Sequence, residues 1–166
     1  MTSLDEIVAR VHEHLPSLRK RRAWFERALD DVPPVPSFHQ GLKGDRLGLV
    51  AEIKRRSPSA GPIALTMDPA VHARAYAEAG ADAISVLTNR PFFGGSIDDL
   101  VAVRGQVNLP VLRKDFIVDE VQLLEARAAG ASAALLIVRA LSPTVLAQLL
   151  AFGRACGLDL VVEVHE

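Results

Sequence analysis

A glycine that recurs at a nearly constant interval is the feature that most constrains the fold of this chain. Gly80, Gly105, Gly130 and Gly157 are 25, 25 and 27 residues apart, and each follows a helical pattern and precedes a short apolar run. A repeat of one helix and one strand predicts a parallel sheet built from βα units. We expect each glycine to end its helix in the left-handed conformation.

Five short apolar runs are the predicted strands. Their hydrophobicity is nearly continuous, which is typical of a parallel sheet whose outer face is covered by helices. We place them at residues 47–54, 83–88, 110–116, 133–138 and 160–166. The helices between them have recognisable starts, because Asp68 and Ser142 each precede a proline, and Ser96 and Asp119 each begin a capping-box pattern.

Residues 1–46 have a different character from the repeats. They contain an amphipathic helical pattern that begins at Leu4 and ends near Leu15, a basic run at Arg19–Arg22, and the proline-rich turn DVPPVP. In a chain of balanced charge, the basic run is typical of a solvated helix end. We therefore divide the chain into an N-terminal helical extension, 1–46, and a βα region with strands 1 to 5, 47–166.

Composition excludes several classes of protein. The chain has 19 Lys and Arg against 20 Asp and Glu, which gives no reason to expect nucleic acid or an anionic membrane as a partner. No apolar stretch approaches the roughly 20 residues that span a bilayer. The start, MTSLDEIVAR, has acids where a secretory signal has bases, so we expect a cytoplasmic protein. The single cysteine, Cys156, excludes an internal disulfide and a cysteine-based metal site.

Charged residues inside the apolar strands are the candidate functional residues. Glu52 and Lys54 lie two apart near the end of the first strand, Lys114 lies in the third strand, and Glu163 lies in the fifth. Parallel βα proteins build their sites at the carboxyl ends of the strands, where all four residues fall. Two lysines and two carboxylates that converge there predict a proton-transfer site.

Other interpretations fit single features equally well. From spacing alone, Glu52 and Lys54 are equally compatible with a solvated ion pair on an edge strand. The loop RRSPSAGP, residues 55–62, offers hydroxyls and flexible backbone that suit a phosphate or an oxyanion, although by itself the loop is weak evidence.

Four segments in order make the sequence recognisable. They are EIKRRSPSAG at 52–61, SVLTNRPFFGGS at 85–96, LRKDF at 112–116 and VEVHE at 162–166. The sequence closely resembles the indole-3-glycerol phosphate synthase family of tryptophan biosynthesis, over essentially the whole chain. The resemblance implies the α/β fold of a (β/α)8 TIM barrel with an N-terminal helical extension. It also implies a lyase that converts 1-(o-carboxyphenylamino)-1-deoxyribulose 5-phosphate to indole-3-glycerol phosphate, with loss of carbon dioxide and water.

The resemblance also assigns catalytic roles. Lys114 matches the general acid that protonates the ribulose carbonyl, and Glu163 matches a carboxylate that serves acid-base chemistry in the later dehydration. Lys54 matches a lysine that binds the anionic groups of the substrate and shares in proton transfer, with Glu52 orienting it. No metal and no organic cofactor is implied.

Three further residues are assigned to substrate binding by the same resemblance. Ser57 matches a residue near the substrate phosphate, and Phe93 and Phe116 would wall the anthranilate ring. The implied ligand is a small phosphorylated molecule, with no nucleic acid and no membrane as partner.

The sequence departs from the family in its length. A barrel of this kind has eight strands and about 250 residues, whereas five strands are recognisable here. We therefore expect a barrel truncated after the fifth strand, with little or no synthase activity in the isolated chain. A full-length form is expected to be a monomer, and an open sheet with two unpaired edges is expected to self-associate.

Two competing hypotheses come from this departure and from the shared architecture. One is a non-catalytic half-barrel that pairs its open edges with a partner or with a second copy. The other is a different phosphate-binding barrel such as phosphoribosylanthranilate isomerase, which is not expected to carry Glu52, Lys54 and Ser57 in this arrangement.

Overall fold

A computed structural model describes residues 3–164 of the chain. Its α-helices are α1 Leu4–Arg19, α2 Arg22–Ala28, α3 Phe38–Gly41, α4 Pro69–Glu78, α5 Arg90–Phe93, α6 Ile97–Arg104, α7 Glu120–Ala128 and α8 Pro143–Ala155. Its strands are β1 Val50–Ile53, β2 Arg56–Ser57, β3 Gly61–Pro62, β4 Ala83–Leu87, β5 Val111–Lys114, β6 Ala133–Ile137 and β7 Asp159–Glu163. Single turns of 3-10 helix occupy Leu29–Asp31 and Val138–Ala140.

The main sheet has five parallel strands in the order β1-β4-β5-β6-β7. Each of these strands overlaps one predicted strand, so the parallel βα architecture predicted from the glycine repeat is confirmed. The last two residues of the predicted fifth strand lie outside the described range. The remaining two strands, β2 and β3, form a small antiparallel hairpin directly after β1 that the apolar pattern does not predict.

The two faces of the sheet have different neighbours. The outer face packs under α4, α6, α7 and α8, with fully buried side chains such as Ile84, Val86, Val111 and Leu136. On the inner face, Ala83, Leu112 and Ala133 form a separate cluster with Phe38 of α3. Alternation along each strand therefore sends one set of residues to the helices and the other set into the concave interior.

The predicted helix starts are confirmed, and the predicted helix ends are confirmed at three of four glycines. Asp68 and Ser142 cap α4 and α8, and Ser96 and Asp119 form capping boxes. Gly80, Gly130 and Gly157 adopt positive φ. The prediction for Gly105 is wrong: its φ is −68°, because helical turns continue past it to a hydrogen bond from Val107 N to Val103 O.

The N-terminal helices pack against α7. Leu15 of α1 and Phe25 of α2 are buried with Val121 and Leu124 of α7. The basic run adds ion pairs to this contact, from Arg19 to Asp119 and from Arg22 to Glu120. The division of the chain at residue 46 stays a prediction.

The strands at the two sides of the sheet carry exposed apolar side chains. Val50 of β1, and Val162 and Val164 at β7, are exposed, and each of these strands has one neighbour in the described sheet. Among residues 3–164, no helix is both long and apolar enough to cross a membrane.

Candidate active site

A cavity of about 350 Å³ opens at the carboxyl ends of the strands, on the inner face of the sheet. Its lining includes six of the seven residues predicted for the site, namely Glu52, Lys54, Phe93, Lys114, Phe116 and Glu163. The strand register explains this convergence, because Lys114 lies beside Leu87 and Glu163 beside Ile137, and both of these apolar residues also line the cavity.

Glu52 holds the two lysines together. Lys54 Nζ donates to Glu52 Oε1 at 2.7 Å, and Lys114 Nζ donates to Glu52 Oε2 at 3.0 Å. Strand β4 lies between β1, which carries Glu52, and β5, which carries Lys114. These two strands are therefore about 10 Å apart, and only long side chains can meet across that distance. One carboxylate therefore positions two ammonium groups in one half-buried site.

The electrostatics of Glu52 keep it ionised. Burial by itself raises the pKa of the Glu52 carboxyl, but the hydrogen bonds and charges of Lys54 and Lys114 outweigh burial and leave the pKa below its ordinary value. A carboxylate with a lowered pKa is a poor proton donor at neutral pH. Glu52 is therefore suited to accepting hydrogen bonds from Lys54 and Lys114 and to orienting their ammonium groups.

Two aromatic side chains form a wall beside the lysines. The ring centroids of Phe93 and Phe116 are 6.1 Å apart, with an interplanar angle of 33°. Phe93 is held by the short helix α5, whose end is set by Gly94 in the left-handed conformation and by Gly95, where a side chain would collide with the Leu87 carbonyl. The cavity thus pairs a flat apolar surface with two ammonium groups.

Ser57 is the predicted site residue that does not line this cavity. It lies in the β2–β3 hairpin, where its hydroxyl accepts a hydrogen bond from Ala60 N at 3.0 Å. The hairpin is braced against α5 and α6, because Arg55 pairs with Asp99 and Arg56 donates to the carbonyls of Pro91 and Phe92. The role of Ser57 beside a phosphate stays a prediction.

Behind the site, on the outer face of β5, lies a buried polar cluster that sequence reasoning missed. We call Thr88, Arg113, Asp115, Gln122 and Glu125 the outer cluster. Arg113 donates to Thr88 Oγ1 at 3.2 Å and to the Gln122 carbonyl at 2.7 Å, and pairs with Asp115 at 3.2 Å and Glu125 at 2.9 Å. The only signal in the sequence is that Arg113 has the opposite parity to Lys114.

Asp115 links the outer cluster to the aromatic wall. Its carboxylate accepts from Thr88 Oγ1 at 2.7 Å, from Asn89 Nδ2 at 3.2 Å and from the Phe116 backbone N–H at 2.9 Å. Asn89 in turn caps α5, the helix that carries Phe93. One buried carboxylate therefore fixes both sides of the wall.

Several residues near or lining the cavity were not predicted for the site, and the lining ones are Leu4, Leu87, Asp115, Leu135, Ile137 and Arg139. Of these, Leu4 lies in α1 and Arg139 follows β6. Ser85 lies beside Glu52 in the strand register, and its hydroxyl is buried without a hydrogen-bond partner in the described part of the chain. Arg139 was detectable, because it directly follows the apolar run that becomes β6. Within residues 3–164, no group of three His, Cys, Asp or Glu side chains could hold a metal ion.

Comparison with known proteins identifies the family. A family model described as indole-3-glycerol phosphate synthase matches residues 4–166. Indole-3-glycerol phosphate synthase 2 of Streptomyces coelicolor is 55% identical over 89% of this chain and 59% of its own length. The indole-3-glycerol phosphate synthases of Rhodopirellula baltica and Chlorobium luteolum are 44% and 45% identical over the whole of this chain and 65% of their own lengths.

The chain thus spans 59% to 65% of the length of these relatives. The match extends through the segments that carry the two lysines, the aromatic wall and all five parallel strands. The chain therefore belongs to the indole-3-glycerol phosphate synthase family of (β/α)8 barrels, as its strand-end motifs predict.

Proposed function

We propose that this protein is an indole-3-glycerol phosphate synthase. The observation that carries the proposal is Glu52 held between Lys54 and Lys114, beside the Phe93–Phe116 wall, at the carboxyl ends of parallel strands. A site of this kind combines proton donors with a flat apolar surface for an aromatic ring. The substrate, 1-(o-carboxyphenylamino)-1-deoxyribulose 5-phosphate, needs both.

Lys114 is the proposed general acid. The ring carbon that carries the carboxylate attacks the ribulose carbonyl carbon and forms the new carbon–carbon bond. As this bond forms, the carbonyl oxygen takes a proton from Lys114 Nζ and becomes a hydroxyl group. Glu52 supports this step because its hydrogen bond to Lys114 orients the ammonium group at the mouth of the cavity.

The later steps release carbon dioxide and water. Loss of carbon dioxide leaves its bonding electron pair in the ring. The new hydroxyl then takes up a proton and leaves as water, and the adjacent CH2 carbon of the new ring loses a proton, so that its C–H electron pair forms the double bond of the indole. Glu163 lines the cavity from β7 and is the proposed acid-base group of the dehydration. Lys54 and Ser57 are the proposed contacts of the anionic groups, with Ser57 near the phosphate. No metal or organic cofactor takes part in this scheme, and the proposed setting is a monomeric cytoplasmic enzyme.

The test is a direct assay of the complete gene product. The purified protein is mixed with 1-(o-carboxyphenylamino)-1-deoxyribulose 5-phosphate, and the fluorescence of indole-3-glycerol phosphate is followed continuously. We expect turnover at about 1 s⁻¹ or faster, the range usual for enzymes. Absence of product under conditions in which a related synthase is active would refute the proposal.

A second candidate function is favoured by the exposed apolar residues of the outermost strands. Val50, Val162 and Val164 suit a chain that pairs its sheet with another chain or with a second copy. Size-exclusion chromatography over a range of concentrations distinguishes the candidates. A species larger than a monomer without turnover favours the non-catalytic alternative, whereas an active monomer excludes it.

A further inference from the structure

The inward-facing row of β6 ends in a cation. Leu135, Ile137 and Arg139 follow one another at intervals of two, and all three line the cavity. Arg139 lies in the 3-10 turn Val138–Ala140 and is exposed, whereas Leu135 and Ile137 below it are buried. The Arg139 side chain therefore stands at the mouth of the cavity, beyond the apolar floor.

Among the cations of the cavity, Arg139 differs in its hydrogen bonding. Lys54 and Lys114 both donate to Glu52. Arg139, by contrast, makes no hydrogen bond or ion pair with any residue that the structure describes. A guanidinium group carries five N–H donors in a planar fork that matches a carboxylate. Residues 3–164 use none of these donors, and their geometry suits an anionic ligand in the cavity.

The position of Arg139 relative to the aromatic wall indicates which anionic group of the proposed substrate it can bind, the carboxylate or the phosphate. Strands β5 and β6 are neighbours, with Leu112 beside Ala133. Phe116 lies two residues after the end of β5, and Arg139 lies two residues after the end of β6, so both follow the ends of neighbouring strands. Ser57, the proposed phosphate contact, lies at the other side of the sheet, in the hairpin after β1.

We propose that Arg139 binds the carboxylate on the anthranilate ring of the substrate and so makes the site selective for a carboxylated ring. The inference rests on the proposed function. A ring held at Phe93 and Phe116 carries its carboxylate directly on the ring, close to the end of β6. The phosphate is separated from the ring by the ribulose chain and is free to reach the hairpin.

The step at which the carboxylate leaves determines how loss of Arg139 should affect the kinetics. The carboxylate leaves only after the ring-closing step, so Arg139 would contact it in the ground state and in the ring-closing transition state alike. A contact of equal strength in both states lowers KM without raising kcat. We expect Arg139→Gln to raise KM about tenfold, about 1.4 kcal/mol, and to change kcat by less than about threefold.

The decisive experiment compares two ligands in each variant of the complete gene product. The first is 1-(o-carboxyphenylamino)-1-deoxyribitol 5-phosphate, and the second is the same compound without the ring carboxyl group. We expect wild type to bind the carboxylated ligand at least about tenfold more tightly, and Arg139→Gln to lose most of this preference, with Lys54 as the remaining contact of the carboxylate. Arg139→Lys should keep part of the preference.

Arg154→Gln is the matched control, because Arg154 is an exposed arginine in the last turn of α8, away from the cavity. It should leave the ratio unchanged. The inference is overturned if Arg139→Gln keeps the wild-type ratio or if wild type shows no preference. Turnover with an unchanged ratio refutes only this inference. A ratio that depends on Arg139 without turnover refutes only the proposed reaction.

Discussion

Arg113 and Lys114 are neighbours on β5, yet their side chains lie in opposite environments. Arg113 points into the outer cluster, where its side chain is 5% exposed and has partners on β5, α7 and the end of β4. Lys114 points into the cavity, where its side chain is 37% exposed and contacts Glu52. One peptide bond separates a charge enclosed by fixed partners from a charge that faces an open cavity.

The difference between Arg113 and Lys114 distinguishes charges that stabilise the fold from charges that are suited to catalysis. A buried charge is tolerated only when its hydrogen bonds are satisfied, and removing one partner leaves the others uncompensated. A half-buried ammonium can exchange its partner for a substrate atom at little cost. We call Glu52, Lys54 and Lys114 the inner cluster. The outer cluster should therefore control stability, and the inner cluster should control turnover.

The largest expected effect is on turnover, from Lys114→Ala. Loss of the proposed acid should reduce kcat by at least about 10³-fold, within the range known for general acids. Substrate binding should weaken far less, and the free energy of unfolding should change by less than about 1 kcal/mol. Steady-state kinetics and urea unfolding of the complete gene product measure these quantities. Equal losses in turnover and in binding would contradict the assignment of Lys114 as the acid.

The corresponding change in the outer cluster is Arg113→Leu. It leaves Asp115 and Glu125 buried without their cation, so the free energy of unfolding should fall by about 3–5 kcal/mol. Arg10→Leu is the control, because Arg10 pairs with Glu13 on the exposed surface of α1 and should cost less than about 1 kcal/mol. Urea unfolding compares the two. Similar losses in both variants would remove the distinction between buried and exposed pairs.

The pH dependence of the unfolding free energy tests the role of Glu52 in the inner cluster. Because the pKa of the folded-state carboxyl lies below the ordinary 4.5, its ionised form stabilises the fold. That contribution is fully present above the ordinary value and is lost as the pH falls through the lowered one. The difference in unfolding free energy between wild type and Glu52→Gln should therefore shrink as the pH falls from above 4.5 through the lowered pKa. A difference that stays constant over this range would contradict the lowered pKa.

The smallest expected effect concerns the start of α7, the helix that supplies Gln122 and Glu125 to the outer cluster. Asp119 accepts a hydrogen bond from Val121 N at 2.9 Å and also pairs with Arg19. Asp119→Ala should lower the free energy of unfolding by about 1 kcal/mol, the usual cost of losing a cap. Asp119→Asn keeps a capping oxygen and should recover most of this loss. Equal destabilisation by both substitutions would assign the effect to the ion pair instead.

Most of the architecture was predictable because it repeats. All five parallel strands overlap predicted ones, although β1 starts three residues later than expected. Leu47 and Leu49 extend the apolar run but are exposed, and the strand register begins at Val50 beside Ala83. A run of apolar residues indicates that a strand exists, but the neighbouring strand decides where pairing starts.

Three features of the structure were not predicted from the sequence, each for a specific physical reason. Gly105 was expected in the left-handed conformation by analogy with the other repeat glycines, but the turn after α6 stays helical. The β2–β3 hairpin has only two residues per strand, too few for a periodic pattern. Arg113 was not recognised as part of a cluster, because its partner Glu125 comes from a helix that only packing brings close.

The sequence by itself determined the period of the fold, the face on which each strand residue lies, and the family. These properties depend on local spacing. Side chains alternate along a strand, and a repeat of helix, glycine and strand favours a parallel sheet. Tertiary structure decided which charges meet. Glu52 reaches Lys114 across an intervening strand, and Asp115 joins two loops, because such contacts depend on how strands and helices pack in three dimensions.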